Sequence, residues 1–188
     1  MIRKKILLHI CCGPCATFPV ISLREQGFEV KGYFFNPNIH PFLEYEKRKQ
    51  GLAEYAGQTG LEVIYAPEYY PIDYLRQVSY RENQRCLVCY HMRLEQTARI
   101  ARRGKFDYFT STLLVSVHQN HRLITELGSE IGKQWGVDFW HQDFRDGFKD
   151  TIRISKEMGL YRQQYCGCLY SEWERYGHLS TKKNKDLR

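Results

Sequence analysis

The sequence predicts an α/β fold, a doubly wound parallel sheet with helices on both faces. Short apolar runs alternate with longer helical stretches along the chain, and strands separated by helices pair in parallel through right-handed crossovers that cover both faces of a sheet. With 188 residues and no internal repeat, the chain suits one domain with a substantial core. We read residues 1–178 as that single domain and 179–188 as a basic C-terminal tail.

KKILLHI (4–10) is the first strand, followed by ATFPVISLREQG (16–27), a helix that Gly27 stops. EVKGYFFNP (29–37) is a second strand broken at Pro37, residues 42–58 form a polar helix, and LEVIYAP (61–67) is a third strand. A long helical stretch ends in YHMRLEQTARIARRG (90–104) and leads to FDYFTSTLLV (106–115), the fourth strand. Leu123, Leu127, Ile131 and Trp135 then recur at one-turn spacing, the apolar stripe of a helix packed on the core. GVDFWHQ (136–142) is the fifth strand. In such sheets ligands collect beyond the carboxyl ends of the strands. That rule places HICCGPC, FFNPN and TSTLL at one mouth.

The 28 Lys and Arg against 21 Asp and Glu give a formal charge of +7, a balance that favours anionic partners such as nucleic acid. Fourteen tyrosines and ten phenylalanines supply both core and rings that can stack on bases. The start MIRKKILLHICC imitates a leader, but its apolar run, 6–8, falls short of the roughly 7–15 residues of a secretory segment. Nothing later approaches the ~20 apolar residues that span a bilayer. The expectation is a cytoplasmic protein without a membrane partner, where thiols stay reduced and clustered cysteines more often bind metal or carry redox chemistry than form bridges.

Seven cysteines fall in three groups: Cys11, Cys12 and Cys15 after the first strand, Cys86 and Cys89 in CLVC at the head of a helix, and Cys166 and Cys168 in CGC. Neighbouring Cys11 and Cys12 cannot meet disulfide geometry without distorting the peptide between them. On the opening turn of a helix, Cys86 and Cys89 share one face, and the helix N-terminus favours their thiolate forms. A structural zinc site commonly takes two Cys-x-x-Cys pairs, and this chain has one; an iron–sulfur cluster takes four thiolates and accepts a vicinal pair. Spacing alone leaves the two open. A Cys-x-Cys pair closes only a small strained ring, which suits an electron relay or further metal ligation better than a staple. No Gly-x-Gly-x-x-Gly and no Walker loop is present. His9 alternates with strand residues as a buried, hydrogen-bonded side chain would, and His91 carries no second signal. Asp143 and Arg145 follow the fifth strand at the same mouth, where a carboxylate ligates a metal, moves a proton or caps the next helix.

HICCGPC, FFNPNIHPFLEYEKR, RCLVCYHMRLEQTA, FTSTLLVS and YRQQYCGCLYS, in this order, resemble the QueH family of epoxyqueuosine reductases, which complete the modified base queuosine in tRNA without cobalamin. The resemblance implies the doubly wound fold of adenine nucleotide alpha hydrolases, with cysteines in place of the nucleotide-gripping loop. It puts a [4Fe-4S] cluster on Cys11, Cys12, Cys86 and Cys89, the family's Cys-x-Cys on Cys166 and Cys168, and no settled role on Cys15. An additional mononuclear iron fits the thiol count, with Cys166 and Cys168 as its ligands or as a redox dithiol, and Asp143 as a catalytic candidate. The family usually has Ala where Gly13 stands, a difference expected to matter little; DFRDGFKD is shorter than its usual form, so no role passes to Arg145 or Lys149. The implied reaction is two-electron deoxygenation of an epoxide, on the anticodon stem-loop of a tRNA, with electrons from an unidentified donor. Arg99, Arg102, Arg103 and Lys105, with the tail TKKNKDLR, are candidates for phosphate contacts, and Tyr33, Phe34, Phe35 and Tyr45 for stacking. The rival readings are a zinc-stabilised RNA-binding module without redox chemistry, a thiol–disulfide oxidoreductase, and a tRNA-modifying ATPase on the same fold.

Overall fold

The computed structural model describes residues 3–183. β1 (Lys5–His9) is apolar at consecutive positions, with Ile6, Leu7 and Leu8 fully buried, because helices cover both faces of a central parallel strand. Around it five parallel strands stand in the order β3-β2-β1-β4-β5, with β2 at Glu29–Phe34, β3 at Val63–Tyr65, β4 at Tyr108–Ser111 and β5 at Asp138–Phe139. His9 stands level with Tyr33 on β2 and Ser111 on β4. α1 (Gly13–Glu25) packs against α2 (Phe42–Thr59) and α6 (Phe148–Glu157), while α4 (Arg85–Arg103) packs against α5 (His121–Trp135) and α3 (Ile72–Val78). Right-handed crossovers put these two groups on opposite faces. This is the doubly wound architecture the alternation predicts.

The differences have local causes. Pro14 needs no N–H partner in a first turn, so α1 starts at Gly13 and takes Cys15 into the helix. Gly27, at φ 88°, ends α1 as expected, donating its N–H to Arg24 O. The fourth strand stops at Ser111, whose hydroxyl accepts the Leu113 N–H and turns residues Thr112–Val115 into a 3-10 helix. α7 (Leu169–Lys183) is absent from the sequence reading, which has α3 only as part of one long helical stretch and α6 only as the helix after Asp143. α3 buries only Tyr74 and Val78, and the residues α6 buries most fully are Thr151 and Ser155. α7 takes in residues 179–183 of the expected tail, and residues 184–188 lie outside the described residues.

Gly13 corrects the expectation that Ala there would matter little. A Cβ at this position would stand 2.4 Å from the Gly51 carbonyl oxygen, so α1 and α2 touch through bare backbone. At Gly51 a Cβ meets only Tyr161, at an ordinary 3.4 Å. Gly13→Ala is expected to lower stability by about 1–3 kcal/mol through overpacking. Gly51→Ala, which removes a helix-interior glycine without a clash, should be neutral or stabilising by up to ~1 kcal/mol. Urea denaturation midpoints of the two variants check both.

Candidate metal centre

Strand order reverses between β1 and β4, and the chain leaves these two strands toward opposite faces of the sheet. That divergence opens a crevice beyond their carboxyl ends. Ile10 still donates its N–H to Tyr33 O at 2.8 Å, after which the Cys11 N–H turns to Thr112 Oγ1 at 3.2 Å. Cys12, in extended backbone, caps α1 without a side-chain hydrogen bond to the helix. Cys15 lies on the first turn. The sulfurs of Cys11, Cys12 and Cys15 all lie within 4.8 Å of one another, with Cys11 and Cys12 at 3.8 Å. All seven cysteines are free thiols.

The three protons are unequally held. Hydrogen bonds from Cys12 and then Cys15 hold the Cys11 thiol well below the ordinary range, helped by Thr112 and Arg93. Burial pushes Cys12 well up, and the hydrogen bond with Cys11 raises Cys15. Gln163 spans the pair, accepting from Cys12 Sγ at 3.2 Å and donating to Cys15 Sγ at 3.4 Å. Beneath the triad His9 is buried, one ring nitrogen 2.9 Å from Ser111 Oγ and the other 3.1 Å from Phe35 O, and burial lowers its pKa to about 3. It is the buried, hydrogen-bonded histidine that the strand alternation allowed.

Cys86 and Cys89 stand on the first turn of α4, as their spacing predicts. Their protonation differs from the helix-terminus expectation: burial outweighs the dipole and raises both, Cys89 to about 12. One turn on, Arg93 donates from Nη2 to Cys89 Sγ at 2.9 Å and from Nε to Cys89 O at 3.2 Å. Cys168 packs with Cys89, Tyr74 and Val78, whereas exposed Cys166 accepts from Gln119 Nε2 at 3.4 Å. Both bear electrostatically on Cys86 and Cys89. Between them stands Gly167, at φ 143°, where a Cβ would come within 3.1 Å of Ile39, 3.2 Å of Arg48 and 3.3 Å of Asn38. Arg48 fixes this turn, donating to Cys166 O at 2.8 Å and Tyr165 O at 2.9 Å, and its own charge is met by Glu44 at 2.7 Å.

Thus Cys11, Cys12 and Cys15 form one group, and Cys86, Cys89, Cys166 and Cys168 a second. The charge of Arg93 acts on Cys89, Cys166 and Cys11, which joins them. Cys15 had no settled role in the sequence reading, and Arg48, Arg93 and Gln163 were not in it. Arg93 carries a faint signal, four residues after Cys89 on a helix; Gln163 carries none. Asp143 follows β5 but accepts from Arg145 N–H at 3.0 Å and from its guanidinium, with His121 Nδ1 at 3.9 Å. Arg145 holds its pKa down to about 2, so it is ionised at neutral pH and closes the following turn. His91 is half-buried, 3.7 Å from Glu95. Tyr33, Phe34 and Tyr45 are core residues, which leaves partly buried Phe35. Arg102 and Arg103 end α4, about 20 Å of helix beyond Cys89, and so lie near the opposite edge of the sheet.

The pattern described as "Epoxyqueuosine reductase QueH" matches residues 6–174. A curated protein of that name from Dehalococcoides mccartyi is 42% identical over 173 residues, covering 92% of this chain and 95% of the relative. One from Thermotoga maritima is 36% identical over 191 residues, covering 95% and 97%. Among solved structures, a predicted subunit of tRNA methyltransferase from Methanocaldococcus jannaschii superposes with a TM-score of 0.53 at 11% identity, over 82% of this chain and 75% of that one. This last likeness concerns the fold alone.

Amides that orient ligand thiols tune metal affinity, typically by 10–100-fold. Gln163→Leu removes both amide contacts at similar size. It is expected to weaken metal retention by roughly that factor, read by chelator competition, while Gln164→Leu at the exposed neighbour leaves it unchanged.

Proposed function

The chain belongs to the QueH family of epoxyqueuosine reductases, and from that premise we propose that it reduces epoxyqueuosine in tRNA to queuosine. The observation that carries this reading is the thiol triad at the sheet's reversal, three sulfurs within 4.8 Å of one another. The epoxide takes up two electrons and two protons, its carbons become an alkene, and the oxygen leaves as water. We assign a [4Fe-4S] cluster to Cys11, Cys12, Cys86 and Cys89, and an additional iron to Cys166 and Cys168, with Cys15 beside the first pair. Such a cluster would supply electrons, and the additional iron, held by only two of the chain's thiols, would polarise the epoxide oxygen. The donor set fits such a group: the thiols are soft and free, and four of the seven are buried or nearly so around two buried arginines.

The remaining residues hold this arrangement. Gln163 orients Cys12 and Cys15, Thr112 the Cys11 backbone, and Arg48 the Cys166–Cys168 turn. Gln119 reaches Cys166 and is itself held by the Tyr90 hydroxyl at 2.8 Å. A cytoplasmic setting, where thiols stay reduced, suits these groups; among the described residues no helix is long and apolar enough to cross a membrane.

The RNA contact belongs around the same mouth. α7 begins directly after Cys168 and is tied to the head of α4 by the Arg85–Glu174 ion pair and by Arg85 over the Tyr170 ring. Along this rim Trp173 is 73% exposed and Tyr80 98% exposed, with Arg81, Arg162 and Arg175 exposed nearby in sequence. Unstacked anticodon-loop bases stack on such rings, and phosphates meet such cations. An anticodon stem-loop seated here presents its modified base to the thiols, which the basic end of α4 does not allow.

Two measurements test this. Anaerobically prepared protein is expected to be brown, with about four sulfides and four to five irons, and to convert epoxyqueuosine in tRNA to queuosine under dithionite, read by nucleoside mass spectrometry. Replacing Cys166 and Cys168 together by Ser should lower iron while leaving sulfide unchanged. A colourless protein with one zinc and no turnover favours the RNA-binding module instead. Separately, Trp173→Ala and Arg162→Ala with Arg175→Ala should weaken tRNA binding about tenfold or more, base stacking alone contributing ~1–3 kcal/mol. Arg102→Ala with Arg103→Ala should leave it unchanged.

A further inference from the structure

Arg93 is 1% exposed, as deeply buried as Arg48. The two differ in their counter-charge. Arg48 has Glu44 at 2.7 Å, whereas among the described residues Arg93 makes no ion pair with a carboxylate. Its guanidinium is turned to sulfur: Nη2 lies 2.9 Å from Cys89 Sγ, and its charge acts on Cys166 and Cys11 as well. A buried cation without an anion is strongly unfavourable. Neutral thiols do not supply the anion, while thiolates bound to a metal do, because a coordinating thiol is deprotonated outright.

Resting on the metal reading above, we infer that Arg93 is a positioning residue that supplies the buried counter-charge of the metal–thiolate centre and raises its reduction potential. Two effects act in the same direction. Electron uptake makes the centre more negative, so a fixed cation close by in a low-dielectric interior stabilises the reduced state more than the oxidised one. An N–H donated to a ligand sulfur withdraws charge from it, and hydrogen bonds to sulfur are among the features that set a cluster's potential. From α4, Arg93 touches Cys89 directly, and its charge is felt by Cys166 and Cys11 as well. Thr97 holds the helix beneath it, its hydroxyl donating to Arg93 O at 2.6 Å.

The test compares wild type, Arg93→Gln and Arg93→Lys. Iron and sulfide are counted first, and the midpoint potential is then measured by spectroelectrochemical titration. A wild type without iron defeats the metal reading on its own, independently of Arg93. With wild type loaded, the expected result is that Arg93→Gln binds the same iron and sulfide at a more negative midpoint, and that Arg93→Lys lies between it and wild type. A loaded Arg93→Gln with an unchanged midpoint overturns the inference and leaves the metal reading intact. If Arg93→Gln does not load, Arg93→Lys decides: loading with a midpoint close to wild type supports the need for a cation, and failure of both variants to load marks Arg93 as a packing residue and overturns the assignment.

Discussion

The separation of the chain's paths after β1 and β4 is the constraint on which the rest depends. These strands pair side by side, His9 level with Ser111, yet one leads into α1 and the other toward α5 on the opposite face. No backbone fills the space between the diverging paths. Cys11 and Cys12 enter it from β1, and Thr112, just past β4, meets Cys11 across it. A nucleotide-binding sheet uses the same crevice to cradle phosphate on backbone N–H groups. Here Cys12 caps α1 and Cys15 occupies its first turn, so the positive end of the helix faces sulfur.

Charge is balanced around this crevice by two buried arginines with different duties. Arg48 belongs to a protein-only network: Glu44 neutralises it, Tyr161 donates to the same carboxylate, and its remaining N–H groups clamp the backbone of residues 165 and 166. It shapes the turn that carries Cys166 and Cys168. Arg93 faces the thiols themselves. The protonation pattern expresses the same division. Within the triad the Cys11 thiol is held low by its neighbours, while burial raises Cys12 and, on α4, Cys86 and Cys89. A bound cation that displaces those protons relieves the burial of the thiols and of Arg93 together.

What was legible in the sequence follows from how local each signal is. The alternation of strands and helices, the mouth occupied by Cys11 and Cys12, and the shared face of Cys86 and Cys89 depend on short-range periodicity, and all are present in the fold. α6 gave a weaker signal because the positions it buries most fully are Thr151 and Ser155, polar residues that hide its inward face. The close approach of Gly13 to Gly51 was illegible for another reason: it joins residues of two helices, and a glycine in a helix announces no partner. Gln163 reaches Cys12 across 151 positions, and an exposed-looking glutamine in YRQQY gives no hint of it. The basic cluster at the end of α4 shows the converse, its distance from the thiols being invisible in the sequence. Charge was plain in the sequence, but the helix runs away from the thiols and carries those arginines with it.

The centre therefore draws on three segments that meet only in the folded chain: residues 11–15, 86–93 and 163–168. No pair of them is adjacent in sequence, so the unfolded chain offers a metal at most the three thiols of CCGPC, a Cys-x-x-Cys or a Cys-x-Cys, never the whole set. Metal bound across these segments binds the native state far better than the unfolded one, and its binding free energy becomes stability of the fold. The same link runs from cofactor to substrate surface. Cys168 leads straight into α7, and Arg85, one residue before Cys86, is paired with Glu174 on that helix. Whatever fixes the sulfurs of Cys86 and Cys168 also fixes the rim on which Trp173 stands. On the proposed function, loading the centre and shaping the edge that carries Trp173 would be one structural event.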